Sequence, residues 1–147
     1  MQQILAELVW AGDEKFGATS GSTAIVIDGD AVAGPSPMQL LAQAIAGCMA
    51  IDVVLILKKG RHPLEALRVS CSGDRAPDPP RRYTSINLAF NVTGAVPAAA
   101  VERAIALSRE TYCSVWHSVR QDIDFTVTFD VHPSLDSGSG PDRPRRP

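Results

Sequence analysis

The sequence is poor in several features that whole classes of function require. It has no basic excess: 14 lysines and arginines stand against 16 aspartates and glutamates, a formal charge of -2, so the attraction to a phosphate backbone that drives nucleic-acid binding is missing. Aromatic side chains, needed to stack on exposed bases, are only 5% of the chain. There is no GxSxG, no P-loop and no GxGxxG, so no local signature supports a serine hydrolase or a nucleotide-dependent enzyme. The start, MQQILAELVWAGDE, lacks the basic residues, apolar run and small-residue cleavage site of a secretory signal, and a cytoplasmic protein is expected. The longest apolar run, Ala44 to Leu57, is interrupted by Asp52 and falls short of the roughly 20 residues of a membrane span. Neither nucleic acid nor membrane is expected as a partner. Cysteine is confined to Cys48, Cys71 and Cys113, an odd and widely spaced set that fits reduced or redox-active thiols better than a framework of structural disulfides.

What remains is material for one core. With 147 residues and 45% apolar content, the chain is long enough for a single domain, expected over residues 1–132. The last segment, 133–147, is proline, glycine, serine and charge without apolar periodicity. It cannot offset the entropy lost on ordering, so a loose tail is expected.

Two strands are predicted over 3–10 and 23–28, the second closed by the turn signal Asp28-Gly29-Asp30. Ser36-Pro37-Met38-Gln39 has the form of a helix start, with Ser36 as cap, Pro37 at the first helical position and Gln39 completing a capping box. The helix is predicted to run to Lys59, about 35 Å. Gln39, Gln43 and Asp52 are its only strongly polar side chains between Met38 and Leu57, and a helix so apolar all round is expected to be buried. Alternation predicts a strand in ALRVSCS, with Leu67, Val69 and Cys71 inward, and another in YTSINLAFNV. The charged, proline-rich GDRAPDPPRR between them reads as a surface loop. Pro97 opens a second helix in which Val101, Ile105 and Leu107/Ser108 approximate one apolar stripe. Tyr112-Cys113-Ser114 marks a bend into a short helix, and IDFTVTFDV alternates without a break as a last strand. The order ββαββαβ, with antiparallel-type alternation, argues for an α+β fold.

Periodicity alone makes Cys48 a core cysteine, since buried cysteine is a common small hydrophobe. It is followed four residues later by Asp52 on the same helix face. It lies too deep in the helix for the N-terminal dipole to activate it, so a reactive Cys48 needs a cation from elsewhere in the fold. Cys113 stands at a helix junction, where a side chain reaches a partner thiol more easily. The inward position of Cys71 reads as packing. Cys113 and His117 have the four-residue spacing of metal ligands, but no CxxC and no second nearby histidine completes a zinc set. His62 and His132 read as surface residues, and no cofactor is implied.

Two segments, GPSPMQLLAQAIAGCMAIDVVLILKKGR and LSRETYCSVWHSV, resemble the signature segments of the OsmC-like family, which includes organic hydroperoxide resistance proteins; the similarity is greatest to its uncharacterised branch. The resemblance extends over roughly residues 5–131 through the order of elements. It implies an OsmC-like fold of curved antiparallel sheets and two main helices, intertwined as a homodimer, with partner surface to cover the apolar helix. It implies a thiol peroxidase acting on organic hydroperoxides in oxidative-stress defence, with Cys48 peroxidatic and Cys113 resolving, and with a dithiol such as a lipoyl protein as reductant. Two departures stand out. The acid that holds the activating arginine in the family's peroxidases is replaced by Met38, beside the neutral Gln39, and in AGDEKFGATSG the only cation is Lys15. They favour the alternative of an OsmC-like protein without peroxidase activity, binding a small ligand or other electrophile in an apolar cavity at the dimer interface.

Overall fold

The computed structural model describes residues 2–134. Among the described residues the fold is α+β, with two three-stranded sheets, two main helices, a π-turn and a short third helix. The chain divides into two compact units, one up to Gln43 and the other from Ala44.

The first unit is a β-meander. β1 (Glu7–Trp10), β2 (Lys15–Ser20) and β3 (Thr23–Asp28) pair antiparallel in chain order. β2 differs from the sequence expectation, which leaves AGDEKFGATSG as a connection. Its glycine, alanine, threonine and serine carry little alternation, and it is held by ladders on both sides, Val9 opposite Gly17 and Gly17 opposite Val26. The expected turn after β3 is built around the buried Asp28 carboxylate, which accepts from the amides of Asp30 (3.1 Å), Val32 (3.3 Å) and Ala33 (2.9 Å). The bond from Ala33 does most to hold this carboxyl below its ordinary range.

Helix α1 (Pro37–Lys59) has the predicted bounds. Its capping box is formed: the Ser36 amide donates to Gln39 Oε1 at 2.9 Å and the Gln39 amide donates to Ser36 Oγ at 3.2 Å. Over its 23 residues it is long and apolar enough to cross a membrane by length and composition, although the sequence run alone falls short; the core helix of a soluble protein meets the same criteria. Burial along it is narrower than expected. One stripe of every fourth residue, Ile45, Met49, Val53 and Leu57, is buried, whereas Ile51 and Leu55 are 61% and 60% exposed.

In the second unit, β4 (Leu64–Arg75), β5 (Tyr83–Gly94) and β6 (Asp124–His132) form a sheet with β5 central. Ile86, Leu88, Phe90 and Val92 on β5 are buried, as their alternation predicts. β4 runs further than predicted: Gly73 and Asp74 pair with Ile86 and Ser85, so only residues 76–82 connect the strands. β5 and β6 pair in parallel, Ile86 opposite Phe125 and Val92 opposite Val131. The sheet is therefore mixed rather than wholly antiparallel, because the connection between these strands carries two helices and returns the chain to the end where β5 began. Cys71 departs from its expected inward packing: it is exposed, on a strand at the edge of the sheet where Leu67 and Val69 are themselves only half-buried.

Between β5 and β6 lie α2 (Ala98–Leu107), a five-residue π-turn (Ser108–Tyr112) and α3 (Ser114–His117). The Trp116 ring packs on Phe125 with centroids 4.1 Å apart. Arg109 lies over the same Phe125 ring at 4.9 Å and donates to its carbonyl at 2.6 Å. These contacts pin the turn that carries Cys113 to β6. The tail expected from residue 133 falls, from residue 135 on, outside the described residues. The Ser134 hydroxyl donates to the Glu65 carboxylate.

Candidate functional site

Of the two cysteines in the signature segments, Cys48 is near enough to Cys113 to act on the ionisation of its thiol. Cys48 is half-buried on α1, and Cys113 is fully buried at the junction between the π-turn and α3. Cys113 owes its place to two local bonds. Its amide donates to the Ser108 carbonyl at 2.8 Å, closing the wide turn, and its Sγ accepts from the Trp116 amide at 3.4 Å, capping α3. A π-turn sets the following residue out of the path of the preceding helix, and here that residue is Cys113. Its side chain is close enough to Cys48 for a side-chain hydrogen bond between the thiols to act on its ionisation.

Burial pushes the Cys113 thiol up to about 11, against the pull of the Trp116 amide; the Cys48 hydrogen bond and the charges of Cys48 and Asp52 push it further up. Cys113 is thus a protonated thiol at neutral pH. Its ordinary value is 9.0, so as the pH rises above 9 the unfolded chain loses this proton while the folded chain keeps it. The stability present below pH 9 should then be lost progressively up to about pH 11. In the reduced protein the urea midpoint should fall across that window, and Cys113→Ser should lack that part of the decline. Parallel pH profiles for the two proteins would contradict this.

Asp52 sits one helical turn beyond Cys48, and its Oδ2 accepts from Ser108 Oγ at 2.7 Å. Ser108 is fully buried. Sequence reading places Ser108 only on an apolar stripe and misses this pairing. The available signal was a lone hydroxyl among apolar residues on one helix and a lone carboxylate on the other. An open cavity of about 710 Å³ adjoins the pair, with Asp52, Ile56, Leu107 and Tyr112 among its walls and Lys59 and Arg103 also lining it.

Lys15 Nζ pairs with the Asp13 carboxylate at 3.6 Å, and Met38 stands half-buried in the first turn of α1. His117 is exposed while Cys113 is buried, so their spacing does not bring them to a shared site. Among the described residues no three histidine, cysteine or acidic side chains are grouped to hold a metal ion. His132 is exposed as expected, and His62 is half-buried.

The chemistry available is that of a dithiol: a half-buried thiol, a buried protonated partner, and a carboxylate one turn away. Residues 28–128 match a family model described as OsmC-like protein. The chain is 39% identical to protein YhfA of Escherichia coli K12 over 129 residues, covering 86% of this chain and 96% of that protein. The fold is similar to the crystal structure of a hypothetical protein from Aquifex aeolicus VF5, with TM-score 0.85 and 28% identity over 91% of this chain and 99% of that one. It is also similar to an organic hydroperoxide resistance protein from Legionella pneumophila, with TM-score 0.67 and 16% identity over 89% and 98% of the two chains, a likeness of fold.

Proposed function

We propose, from the premise that the chain belongs to the OsmC-like protein family, that it is a cysteine-based peroxidase reducing organic hydroperoxides, with Cys48 peroxidatic and Cys113 resolving. The observation that supports the reading is that Cys48 on α1 is near enough to Cys113 at the π-turn to act on its ionisation. The contrast in exposure supports this division of roles, because the thiol that attacks peroxide must be reachable and the trapping thiol must not compete for the oxidant. Cys48 is half-buried; Cys113 is buried and protonated at neutral pH.

In this reaction the Cys48 thiolate attacks the terminal peroxide oxygen, the O–O bond breaks, and the alkoxide takes a proton and leaves as an alcohol. Cys48 is then a sulfenic acid. The Cys113 sulfur attacks it, the S–O bond breaks, and the thiol proton joins the departing hydroxide as water, leaving a Cys48–Cys113 disulfide. A dithiol reductant returns both sulfurs to thiols and is itself oxidised to a disulfide. The exposed Cys71 takes no part.

Mass spectrometry of the reduced protein after one equivalent of cumene hydroperoxide tests this. The expected product is an intramolecular Cys48–Cys113 disulfide with Cys71 still alkylatable. A second reading, an OsmC-like protein without peroxidase activity that binds a small ligand or another electrophile, is favoured by one observation: the charged side chain acting on Cys113 besides Cys48 is the carboxylate Asp52, not a cation. Peroxide that persists beside an unmodified Cys48 would replace the first reading by the second.

A further inference from the structure

The Asp52–Ser108 hydrogen bond has no role in the reaction above, yet it sits between the elements that carry the two sulfurs. It joins residues 56 positions apart in the chain at 2.7 Å. On one side Asp52 is a single turn from Cys48 on α1, where residues four apart lie on one helix face. On the other, the Ser108 carbonyl accepts the Cys113 amide at 2.8 Å and closes the π-turn. The Ser108 amide in turn donates to the carbonyls of Ala104 and Ile105, tying the turn to the end of α2. Cys48, Asp52, Ser108 and Cys113 thus form a short ring of connections around the two sulfurs. A π-turn is an uncommon, wide backbone arrangement with fewer packing constraints than an α-helix. A fully buried hydroxyl left without a partner is costly, and Ser108 finds its partner in the Asp52 carboxylate of α1.

We propose that Asp52 and Ser108 are positioning residues, a clasp that fixes the Cys113 turn against the Cys48 helix and so sets how readily the two sulfurs form a disulfide. The inference rests on Cys48 and Cys113 being the functional pair, but not on peroxide being the oxidant. Disulfide formation requires a specific alignment of the two sulfurs, and a misplacement of about 1 Å can cost a rate factor of the order of 100. The bond itself, rather than the carboxylate charge, is the operative feature, and a neutral amide oxygen, though a weaker acceptor, still accepts from Ser108 and keeps the two elements joined.

The test equilibrates the full-length protein with mixtures of reduced and oxidised dithiothreitol. Two thiols give up two electrons and two protons to form the Cys48–Cys113 disulfide, and oxidised dithiothreitol takes them up to become the dithiol. Alkylation and mass spectrometry read the fraction of the internal disulfide. Ser108→Ala and Asp52→Ala should each lower the equilibrium constant for the internal disulfide by about tenfold or more, and the double variant should be no worse than either single one. Asp52→Asn, which retains an acceptor, and Ser108→Thr, which retains the hydroxyl, should stay near wild type. Wild-type values for the two alanine variants overturn the proposal. So does an Asp52→Asn variant that falls as far as Asp52→Ala, since charge would then matter and not the bond. Should Ser108→Ala fail to fold, the contrast between Asp52→Asn and Asp52→Ala decides alone. A wild type that forms the disulfide with oxidised dithiothreitol but leaves cumene hydroperoxide untouched, with the variants ordered as expected, supports the clasp and removes the peroxidase reading. No internal disulfide in the wild type overturns both.

Discussion

Cys48→Ser should reduce the consumption of cumene hydroperoxide to the rate in solution without protein, a loss of about 100-fold or more, because a serine hydroxyl is not ionised at neutral pH and cannot accept the transferred oxygen. Cys113→Ser should behave differently. Its first turnover should proceed, since Cys48 is intact and remains half-exposed, and the reaction should then stop for want of a trap. The sulfenic acid on Cys48 should be captured by dimedone, or advance to sulfinic acid when peroxide is in excess. Cys71→Ser should match wild type in both assays, since Cys71 is an exposed thiol on β4. A coupled peroxide assay on the three variants, with a dithiol as reductant, reads these outcomes. Equal loss of the first turnover in Cys48→Ser and Cys113→Ser would remove the division of roles, and unchanged consumption by Cys48→Ser would remove the peroxidase assignment.

The second large effect is expected at the uncovered side of α1. Ile51 and Leu55, one turn apart, are 61% and 60% exposed, and with Ala50, Val54, Leu67 and Val69 they line a groove of about 450 Å³. Contiguous exposed apolar surface is the kind of face that association covers, and in the homodimer implied by the family resemblance a second copy of this chain would be its cover. Light scattering at micromolar concentration should therefore report about twice the 15.7 kDa of the single chain. Leu55→Glu should place an unpaired charge in that interface from each copy, shifting the protein to monomer or aggregate and lowering its melting temperature by several degrees. A wild type that stays a folded monomer, with Leu55→Glu equally stable, would show that this face needs no partner.

Local rules carried far in this chain, and their limits are specific. The α1 bounds were readable because Ser36, Pro37 and Gln39 each satisfy a backbone need at a helix start, and those needs concern only neighbours in the chain. Strands β5 and β6 were readable because period-two alternation is enforced by a half-buried pleat. β2 was missed because KFGATS has little side chain to alternate; its pairing is supplied by β1 and β3. Cys71 was misread as packed because alternation specifies which side chains share a face, not whether anything covers that face.

The cysteines show the same division. Two signature segments, around Cys48 and around Cys113, were enough to single out both residues as candidates for thiol chemistry. That Cys48 is near enough to act on Cys113, that Ser108 reaches Asp52, and that β6 enters beside β5 in parallel were decided only by the tertiary structure. The sequence by itself determined the caps, the helix bounds, the alternating strands and the kinds of reactive atoms present, because each of these depends on residues within a few positions of one another. Which faces meet depends on closing loops of dozens of residues and burying apolar area jointly. Here that closure runs through one buried hydroxyl and one π-turn, neither of which leaves a periodic trace in the chain.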